Sequence, residues 1–308
     1  MLADAVVVQE AVAVAEVDAF GDRVHGAPNR STRSRSGRLV GCPPMADDLR
    51  KAEGHGAAST GAHAPGPAAA DAAISRTAVL FSAGLDSAVL LASELQAAAA
   101  AAGGAAHVQP VYVRSGLAWE TEECRLAERL IAAPPFAGRV APLATLDCPV
   151  TDTYRPSHWA LAGTPPAYAT ADEEVYLVGR NVLLLAKVAT WCAVNRIGRI
   201  VLGPLAGNPF PDATPAFFAA MRQALSLGLD HDLEIVAPFR NLSKAAVIAR
   251  GRALGVPFEM TLSCMNPVDG RHCGRCSKCR ERLEAFEAAG AEDPASYVFR
   301  PADVATGV

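Results

Sequence analysis

The sequence contains little charge and lacks the features of a membrane or exported protein. Charged residues make up 19% of its 308 residues and the net charge is −4, so bulk charge gives no attraction to nucleic acid or to an anionic membrane. No apolar run approaches the roughly 18 residues of a membrane-spanning helix. Acidic residues near the start, with no basic segment before them, argue against a secretory signal. We therefore expect a cytoplasmic protein without a membrane partner.

The first 75 residues differ in composition from the rest. They include the Arg- and Ser-rich stretch NRSTRSRSGR (29–38) and a stretch at 56–73 in which Ala, Gly and Pro fill most positions. Such segments bury too little apolar surface to offset the loss of chain entropy, so residues 1–75 are predicted to be disordered. A transit peptide around residues 29–38 is an alternative that the preceding acids weaken, and Met45 is an alternative start codon.

From Arg76 onward, apolar runs of strand length alternate with longer segments of helical periodicity. Strands are predicted at 77–82, 107–116, 139–147, 199–205 and 234–239, and helices at 86–101, 119–133, 181–196, 214–229 and 243–254. The helix 181–196 is almost wholly apolar, which predicts burial on all sides. The alternation predicts an α/β fold with a doubly wound, mostly parallel sheet over residues 76–262.

A short polar segment, SAGLDS (82–87), lies between the first predicted strand and its helix. A helix start offers unpaired N–H groups and the positive end of the dipole, which together attract anions. Ser82 and Ser87 would add hydroxyl donors, Gly84 permits close approach of the backbone, and Asp86 would hold a cation. The spacing fits neither the Walker loop nor the dinucleotide-binding fingerprint. A phosphate loop is therefore predicted, with ordinary helix capping as the alternative.

Four of the eight cysteines fall within one short segment, CMNPVDGRHCGRCSKC (264–279). Cysteines 264, 273, 276 and 279 have the spacing of a tetrahedral thiolate site, and Gly274 favours a tight turn between two of them. A zinc held by four thiolates is closed to substrate, so its role would be structural. An iron–sulfur cluster and a redox-active pair are the alternatives. Residues 263–300 are thus predicted to form a small C-terminal zinc knuckle.

Several other polar residues are candidates for the site. Arg180 and Asn181 open the apolar helix, where Asn181 as a helix cap is one interpretation and an anion bound by Arg180 is the other. Asp212 follows a strand and would either face substrate or belong to a turn. Lys244 would reach a phosphate or be solvated. The basic residues of the knuckle would contact phosphate or RNA, or be solvated: Arg271, His272, Arg275, Lys278, Arg280 and Arg282.

In this order the motifs resemble those of the QueC family, the 7-cyano-7-deazaguanine synthases of the N-type ATP pyrophosphatase (PP-loop) superfamily. The loop is similar to Ser-Gly-Gly-x-Asp-Ser, and Ala83 in place of the first glycine is a mild change if that residue needs no positive φ. The resemblance covers residues 77–286 and is strongest at 81–91, 176–185, 210–228 and 261–282.

The resemblance implies an adenine nucleotide alpha hydrolase-like fold with ATP, Mg²⁺ and Zn²⁺ as cofactors. The implied reaction converts 7-carboxy-7-deazaguanine and ammonia to 7-cyano-7-deazaguanine through adenylated intermediates, releasing AMP and diphosphate, in queuosine biosynthesis. It assigns catalysis to Asp86, Ser87, Arg180 and Asp212, and zinc to Cys264, Cys273, Cys276 and Cys279. It assigns ATP binding to Phe81, Ser82, Ala83, Gly84, Leu85, Asp86, Ser87, Ala88, Val89, Leu90 and Leu91. A homodimer is left open.

One stretch departs from the family. After the second strand the family has a Tyr-Gly-Gln-x-His-like sequence, whereas this chain has VRSGLAWETEE (113–123). The acceptor is therefore open, and a tRNA-thiolating or deazapurine-conjugating PP-loop enzyme is the alternative. Thiolation would require a catalytic cysteine among Cys124, Cys148 and Cys192. An RNA-binding zinc-knuckle protein is disfavoured because no aromatic residues alternate with the basic ones, so a nucleic-acid partner is not expected.

Overall fold

The computed structural model describes residues 76–101 and 107–299. The segment predicted to be disordered, residues 1–75, and the alternative start at Met45 lie outside the described residues. Five strands follow in the order β1 (Thr77–Leu80), β2 (Val108–Arg114), β3 (Ala144–Asp147), β4 (Arg199–Val201) and β5 (Glu234–Val236). The helices are α1 (Leu85–Ala101), α2 (Glu120–Ile131), α3 (Trp159–Ala162), α4 (Arg180–Val194), α5 (Pro215–Leu229), α6 (Lys244–Ala253) and α7 (Ser277–Ala288).

The strands form one parallel sheet in the order β3-β2-β1-β4-β5. The sheet order reverses at β1, because β2 lies on one side of it and β4 on the other. In open α/β sheets ligands bind at such a point, beyond the carboxyl ends of the strands. The predicted doubly wound α/β fold is confirmed.

Helices cover both faces of the sheet. On one face Val79 packs in a cluster with Leu90 of α1 and Ile248 of α6, and on the other Ala78 packs in a cluster with Leu185 of α4. Side chains of successive β1 residues thus pack on opposite faces of the sheet, as expected for a strand buried on both sides. The sheet therefore fixes the position of the loop between β1 and α1 relative to α6.

Helix α6 lies unusually close to α1 at Gly251. A Cβ atom built there would lie 2.6 Å from Cγ2 of Val89 and 2.4 Å from Cζ of Phe258. Only a residue without a side chain fits between these two groups. This close approach brings the start of α6, with Lys244, towards the start of α1, with Asp86.

The sequence-based expectations for β3 and α4 were wrong. The strand predicted at 139–147 spans only 144–147, because Pro142 has no N–H to donate to a ladder and β3 pairs with β2 alone. Helix α4 is not buried on all sides: Val182 is 40% and Val194 79% exposed, since only one face packs on the sheet. Among the described residues no helix has the length and apolarity needed to span a bilayer.

Candidate nucleotide site and metal centre

The predicted phosphate loop closes on itself through its two hydroxyl groups. Ser87 Oγ donates a hydrogen bond to the Gly84 carbonyl oxygen at 3.0 Å, and the Ser82 backbone N–H donates to Ser87 Oγ at 3.3 Å. The Gly84 N–H donates to Ser82 Oγ at 3.4 Å. The two hydroxyls lie 3.4 Å apart. Both therefore face the same small space at the mouth of α1, where an anion would meet them together.

Ala83 has a left-handed backbone conformation, with φ of +56°. The condition under which alanine would be a mild change here, a position without positive φ, is therefore not met. Its methyl group is fully buried, and its carbonyl oxygen accepts a hydrogen bond from the Leu262 N–H at 2.9 Å. An alanine in this region is strained relative to glycine, and the buried methyl contact and the Leu262 hydrogen bond hold it there.

The eleven residues assigned to ATP divide into two groups. Seven side chains are buried in the core and cannot reach a nucleotide: those of Phe81, Ala83, Leu85, Ala88, Val89, Leu90 and Leu91. The side chains of Ser82 and Ser87 and the backbone at Gly84 contact one another at the start of α1, and the Asp86 side chain pairs with Lys244.

Asp86 is only half satisfied. Its Oδ2 lies 3.3 Å from Lys244 Nζ, whereas its Oδ1 is buried and has no hydrogen-bond partner. A buried carboxylate oxygen without a partner is costly, and a hard cation would satisfy it. Ordinary helix capping leaves this atom unexplained, so the geometry favours the phosphate and cation interpretation of the loop.

Lys244 is neither solvated nor free. Its ammonium group also contacts Glu281 of α7, and Ser243 caps α6 by accepting from the Ala246 N–H at 3.2 Å. Burial lowers the pKa of Lys244, but the carboxylates of Asp86 and Glu281 outweigh it and raise that pKa above its usual value. Lys244 is therefore a permanent positive charge beside the loop.

The four clustered cysteines converge as predicted. Their sulfur atoms all lie within 4.8 Å of one another and all four residues are buried. Backbone N–H groups of Asn266 and Cys273 donate to Cys264 Sγ at 3.3 and 3.2 Å, and Gly274 has φ of +75°. N–H groups directed at sulfur favour the thiolate form, which is the form that binds metal. The donor set fits a metal ion held by four sulfurs.

Arg282 contradicts the expectation that the basic residues of the knuckle are solvated or bind phosphate or RNA. It is completely buried and pairs with Asp293, with 2.8 Å between Arg282 Nε and Asp293 Oδ2. It also donates to Thr261 Oγ1 at 2.7 Å and to the Phe258 carbonyl oxygen at 2.9 Å. The pKa of Asp293 is raised by burial but lowered further by Arg282, so it lies below its usual value. Arg282 holds the knuckle to the segment before it.

Asp212, rather than Asn181, caps α4. The helix begins at Arg180, and the Asn181 N–H donates to Asp212 Oδ2 at 2.9 Å while Asn181 Nδ2 donates to the Asp212 carbonyl oxygen at 2.9 Å. The interpretation of Asn181 as the helix cap is wrong, because the residue lies inside the helix. Asp212 is buried and positions the start of α4, next to Arg180. Its predicted catalytic role stays a prediction.

Arg180 lines a cleft at the carboxyl edge of the sheet. The cleft is bounded by Ser115, Leu117, Val150, Tyr154, Leu177, Arg180, Leu183 and Leu184. Arg180 Nε is buried without a hydrogen-bond partner, so the guanidinium has capacity for an anion. Ser115 and Leu117 lie in the stretch 113–123, so that stretch forms part of the wall of the cleft.

Sequence reasoning missed Glu123 and Glu281. Glu123 accepts a hydrogen bond from the Tyr112 hydroxyl at 2.9 Å, and burial raises its pKa to about 7, against the influence of Arg180. Burial also raises the pKa of Glu281, but Lys244 and Lys278 outweigh it and lower that pKa to about 2. Both residues stand on charged helical segments that resemble solvated surface, so periodicity gave no signal for either.

Comparison with known proteins places this arrangement in a family. The 7-cyano-7-deazaguanine synthase of Thiobacillus denitrificans is 34% identical over 71% of this chain and 96% of its own length, and that of Koribacter versatilis is 30% identical over 73% and 94%. The match to the Anaeromyxobacter dehalogenans enzyme is 39% identical but spans only 40% of this chain and about half of that relative, 55%.

Among solved structures, the U34-tRNA thiolase NcsA from Methanococcus maripaludis with its 4Fe-4S cluster has a TM-score of 0.41. It is 11% identical, over 70% of this chain and 67% of its own. A family profile described as queuosine biosynthesis protein QueC matches residues 76–290, which include both the predicted phosphate loop and the four clustered cysteines. The chain therefore belongs to the QueC family.

Proposed function

We propose that the protein is an ATP-dependent 7-cyano-7-deazaguanine synthase, which forms a nitrile from 7-carboxy-7-deazaguanine and ammonia. The observation that carries this proposal is the loop at the start of α1, where the Ser82 and Ser87 hydroxyls lie 3.4 Å apart and Asp86 has a buried oxygen without a hydrogen-bond partner. Membership of the QueC family and relatives named 7-cyano-7-deazaguanine synthase support the assignment.

The loop suits a reaction in which pyrophosphate departs. A carboxylate oxygen of the acceptor attacks the α-phosphorus of ATP, and pyrophosphate leaves. Ammonia then attacks the acyl carbon, AMP leaves with that oxygen, and a proton is released with the amide. A second ATP adenylates the amide oxygen, and loss of AMP and the remaining N–H protons gives the nitrile. Both rounds release pyrophosphate, so one anion site serves both.

Each part of the site has a task in this scheme. The hydroxyls of Ser82 and Ser87 and the loop N–H groups would hold the departing pyrophosphate, and Asp86 would hold Mg²⁺ through the oxygen that has no partner. Arg180, with its unpartnered Nε, would bind the acceptor carboxylate. The four cysteines would hold Zn²⁺, which would supply structural stability only.

A second candidate is a PP-loop enzyme that joins a deazapurine to another acceptor. It is favoured by Ser115 and Leu117, which line the Arg180 cleft and lie in the stretch that departs from the family pattern. tRNA thiolation is less well supported, since Cys192 is fully buried and burial raises its pKa to about 12. Cys124 and Cys148 are the half-buried cysteines that remain for it.

The test is incubation of the full chain with ATP, Mg²⁺, ammonia and 7-carboxy-7-deazaguanine, followed by mass spectrometry. We expect two AMP for each nitrile formed, and we expect Asp86→Asn to abolish the formation of both AMP and nitrile. AMP without nitrile would retain adenylation but contradict the assigned acceptor. Thiolation predicts instead that replacing Cys124, Cys148 and Cys192 together by serine abolishes activity, whereas the synthase proposal predicts that activity survives.

A further inference from the structure

A chain of charges connects the phosphate loop to the zinc knuckle. Lys244 Nζ lies 3.3 Å from Asp86 Oδ2 of the loop and also contacts Glu281 Oε1 of α7. Glu281 Oε2 is in turn 2.5 Å from Lys278 Nζ. The side chains of Asp86, Lys244, Glu281 and Lys278 are 29%, 19%, 22% and 29% exposed, so water weakens these contacts less than it would on the surface.

Three elements meet at Lys244. Asp86 lies in the first turn of α1, Lys244 opens α6, and Glu281 lies on α7 close to the last metal-ligating cysteine. The narrow contact at Gly251 holds α6 against α1. The packing of α6 on α1 therefore places the Lys244 ammonium group beside Asp86 at the start of α1. Glu281 contacts the same ammonium group from α7.

Asp86 makes this arrangement more than a structural ion pair. Its Oδ1 is buried without a partner, which marks a place for a cation. Lys244, which pairs with Oδ2, competes with that cation for the same carboxylate. Glu281 weakens this competition. Because Lys244 also pairs with Glu281, its attraction to Asp86 is weaker, and the Asp86 carboxylate can bind the metal more strongly.

We propose that Lys244 is a further residue of the nucleotide site, contacting the pyrophosphate portion of Mg-ATP, and that Glu281 is its positioning residue. This inference rests on the proposed use of ATP at the loop. Lys244 supplies a fixed positive charge where pyrophosphate leaves, and Glu281 holds it in a position where it serves the phosphate without neutralising Asp86. The knuckle thereby sets the geometry of the nucleotide site through one side chain.

The two residues should give different signatures in binding measurements. Titration of a non-hydrolysable ATP analogue by calorimetry, with Mg²⁺ varied, needs no acceptor and no turnover. Lys244→Gln is expected to weaken analogue binding about tenfold, because a charge-assisted contact to phosphate is lost, without raising the Mg²⁺ requirement. Glu281→Gln is expected to raise the Mg²⁺ concentration for half-maximal binding about threefold or more, since Lys244 then pairs with Asp86 alone.

Two further variants separate positioning from simple stabilisation. Glu281→Asp retains the carboxylate and is expected to restore much of the Mg²⁺ response. Lys278→Gln, the matched control, removes a charge from the same carboxylate at a point away from the loop, and is expected to change either quantity less than about twofold. Thermal melting of each variant reports on folding.

The results test the two parts of the proposal separately: the contact of Lys244 with phosphate and the positioning role of Glu281. Equal effects of Lys278→Gln and Glu281→Gln, or an unchanged Mg²⁺ requirement in a folded Glu281→Gln protein, would overturn the positioning role. Unchanged analogue affinity in folded Lys244→Gln would overturn the phosphate contact. If the unmodified protein binds the analogue but forms no nitrile, the acceptor assignment fails while this inference stands. If it binds no nucleotide, both fail.

Discussion

The backbone N–H of Leu262 donates a hydrogen bond to the carbonyl oxygen of Ala83 at 2.9 Å. Residues far apart in the chain are thus joined at the loop, because Leu262 stands two positions before the first clustered cysteine. This bond fixes the peptide that follows Ala83, whose φ is +56°. The loop therefore receives support from the knuckle segment as well as from its own hydroxyls.

Substitutions at Ala83 should show how closely this conformation is specified. Ala83→Gly is expected to change the free energy of unfolding by no more than about 1 kcal/mol, because relief of strain is offset by loss of a buried methyl and a more flexible unfolded chain. Ala83→Val is expected to cost about 3 kcal/mol or more, since a β-branched residue is strained at positive φ and has no space in the core. Urea denaturation measures both, and equal stability of the two variants would contradict the assigned backbone.

The contact at Gly251 predicts a difference between two glycines in helices. Gly251→Ala is expected to destabilise the protein by about 1–3 kcal/mol, because its Cβ would collide with Val89 and Phe258. Gly228→Ala in α5 meets no atom within 4 Å and is expected to stabilise by about 1 kcal/mol through helix propensity. Thermal melting of both variants is the measurement, and a stabilising Gly251→Ala would show that α6 and α1 are further apart.

Glu123 predicts a pH dependence of stability. Its pKa is about 7 in the folded protein and about 4.3 in an unfolded chain, so the folded state binds the proton more tightly. Its contribution is fully present below about pH 4 and is lost as the pH rises towards 7. Glu123→Gln should therefore gain stability relative to the unmodified protein between pH 5 and pH 8 in urea denaturation. The control is Glu122→Gln, because Glu122 pairs with Arg125 at the surface. Its stability relative to the unmodified protein should differ little, and by the same amount at pH 5 and at pH 8.

The buried pair of Arg282 and Asp293 predicts that removing Arg282 alone destabilises the protein more than removing both charges together. Arg282→Met leaves the Asp293 carboxylate buried without its cation and is expected to cost about 3–5 kcal/mol. Because the pKa of Asp293 is lowered in the folded state, the contribution of the pair is present above about pH 4 and is lost as the pH falls below that. Adding Asp293→Asn to Arg282→Met should recover part of the loss. Purely additive effects in denaturation at neutral pH would contradict a direct pairing.

The four cysteines predict a metal-dependent stability. We expect one zinc and no iron per chain by elemental analysis, and removal of zinc by a chelator should lower the melting temperature by at least about 5 °C. Cys276→Ser should prevent both the binding and the chelator effect, whereas Cys124→Ser, a half-buried cysteine outside the cluster, should leave both intact. Stoichiometric iron would support the cluster alternative.

The parts of the fold that follow from periodicity and local chemistry were predictable. Strand and helix alternation gave the parallel sheet, and the cysteine spacing gave the cluster, because thiolate ligands must lie within a short distance of one ion. Some strands are shorter at their carboxyl ends than predicted, as in β4, which spans Arg199–Val201 rather than 199–205. Apolar residues continue beyond the last hydrogen bond between the strands, because the loop that follows also packs in the core. The sequence pattern therefore extends further than the strand itself.

The parts that depend on tertiary contacts were not predictable. The burial of Arg282 depends on Asp293 and Thr261 meeting it in space, and no sequence pattern marks such an encounter. The positive φ of Ala83 arises from the Leu262 hydrogen bond and the packed methyl group. The sequence could not decide whether Lys244 reaches a phosphate or is solvated, because its contacts with Asp86 of α1 and Glu281 of α7 are tertiary contacts.

The central position of β1 has a consequence for synthesis on the ribosome. This strand is made first among the five, and one of its edges pairs with β4, which is made much later. Until residues 199–201 have been synthesised, the nascent chain carries an apolar strand with one open edge, the kind of segment that aggregates and that chaperones cover. The loop that follows β1 therefore gains its final surroundings only after α7 has left the ribosome.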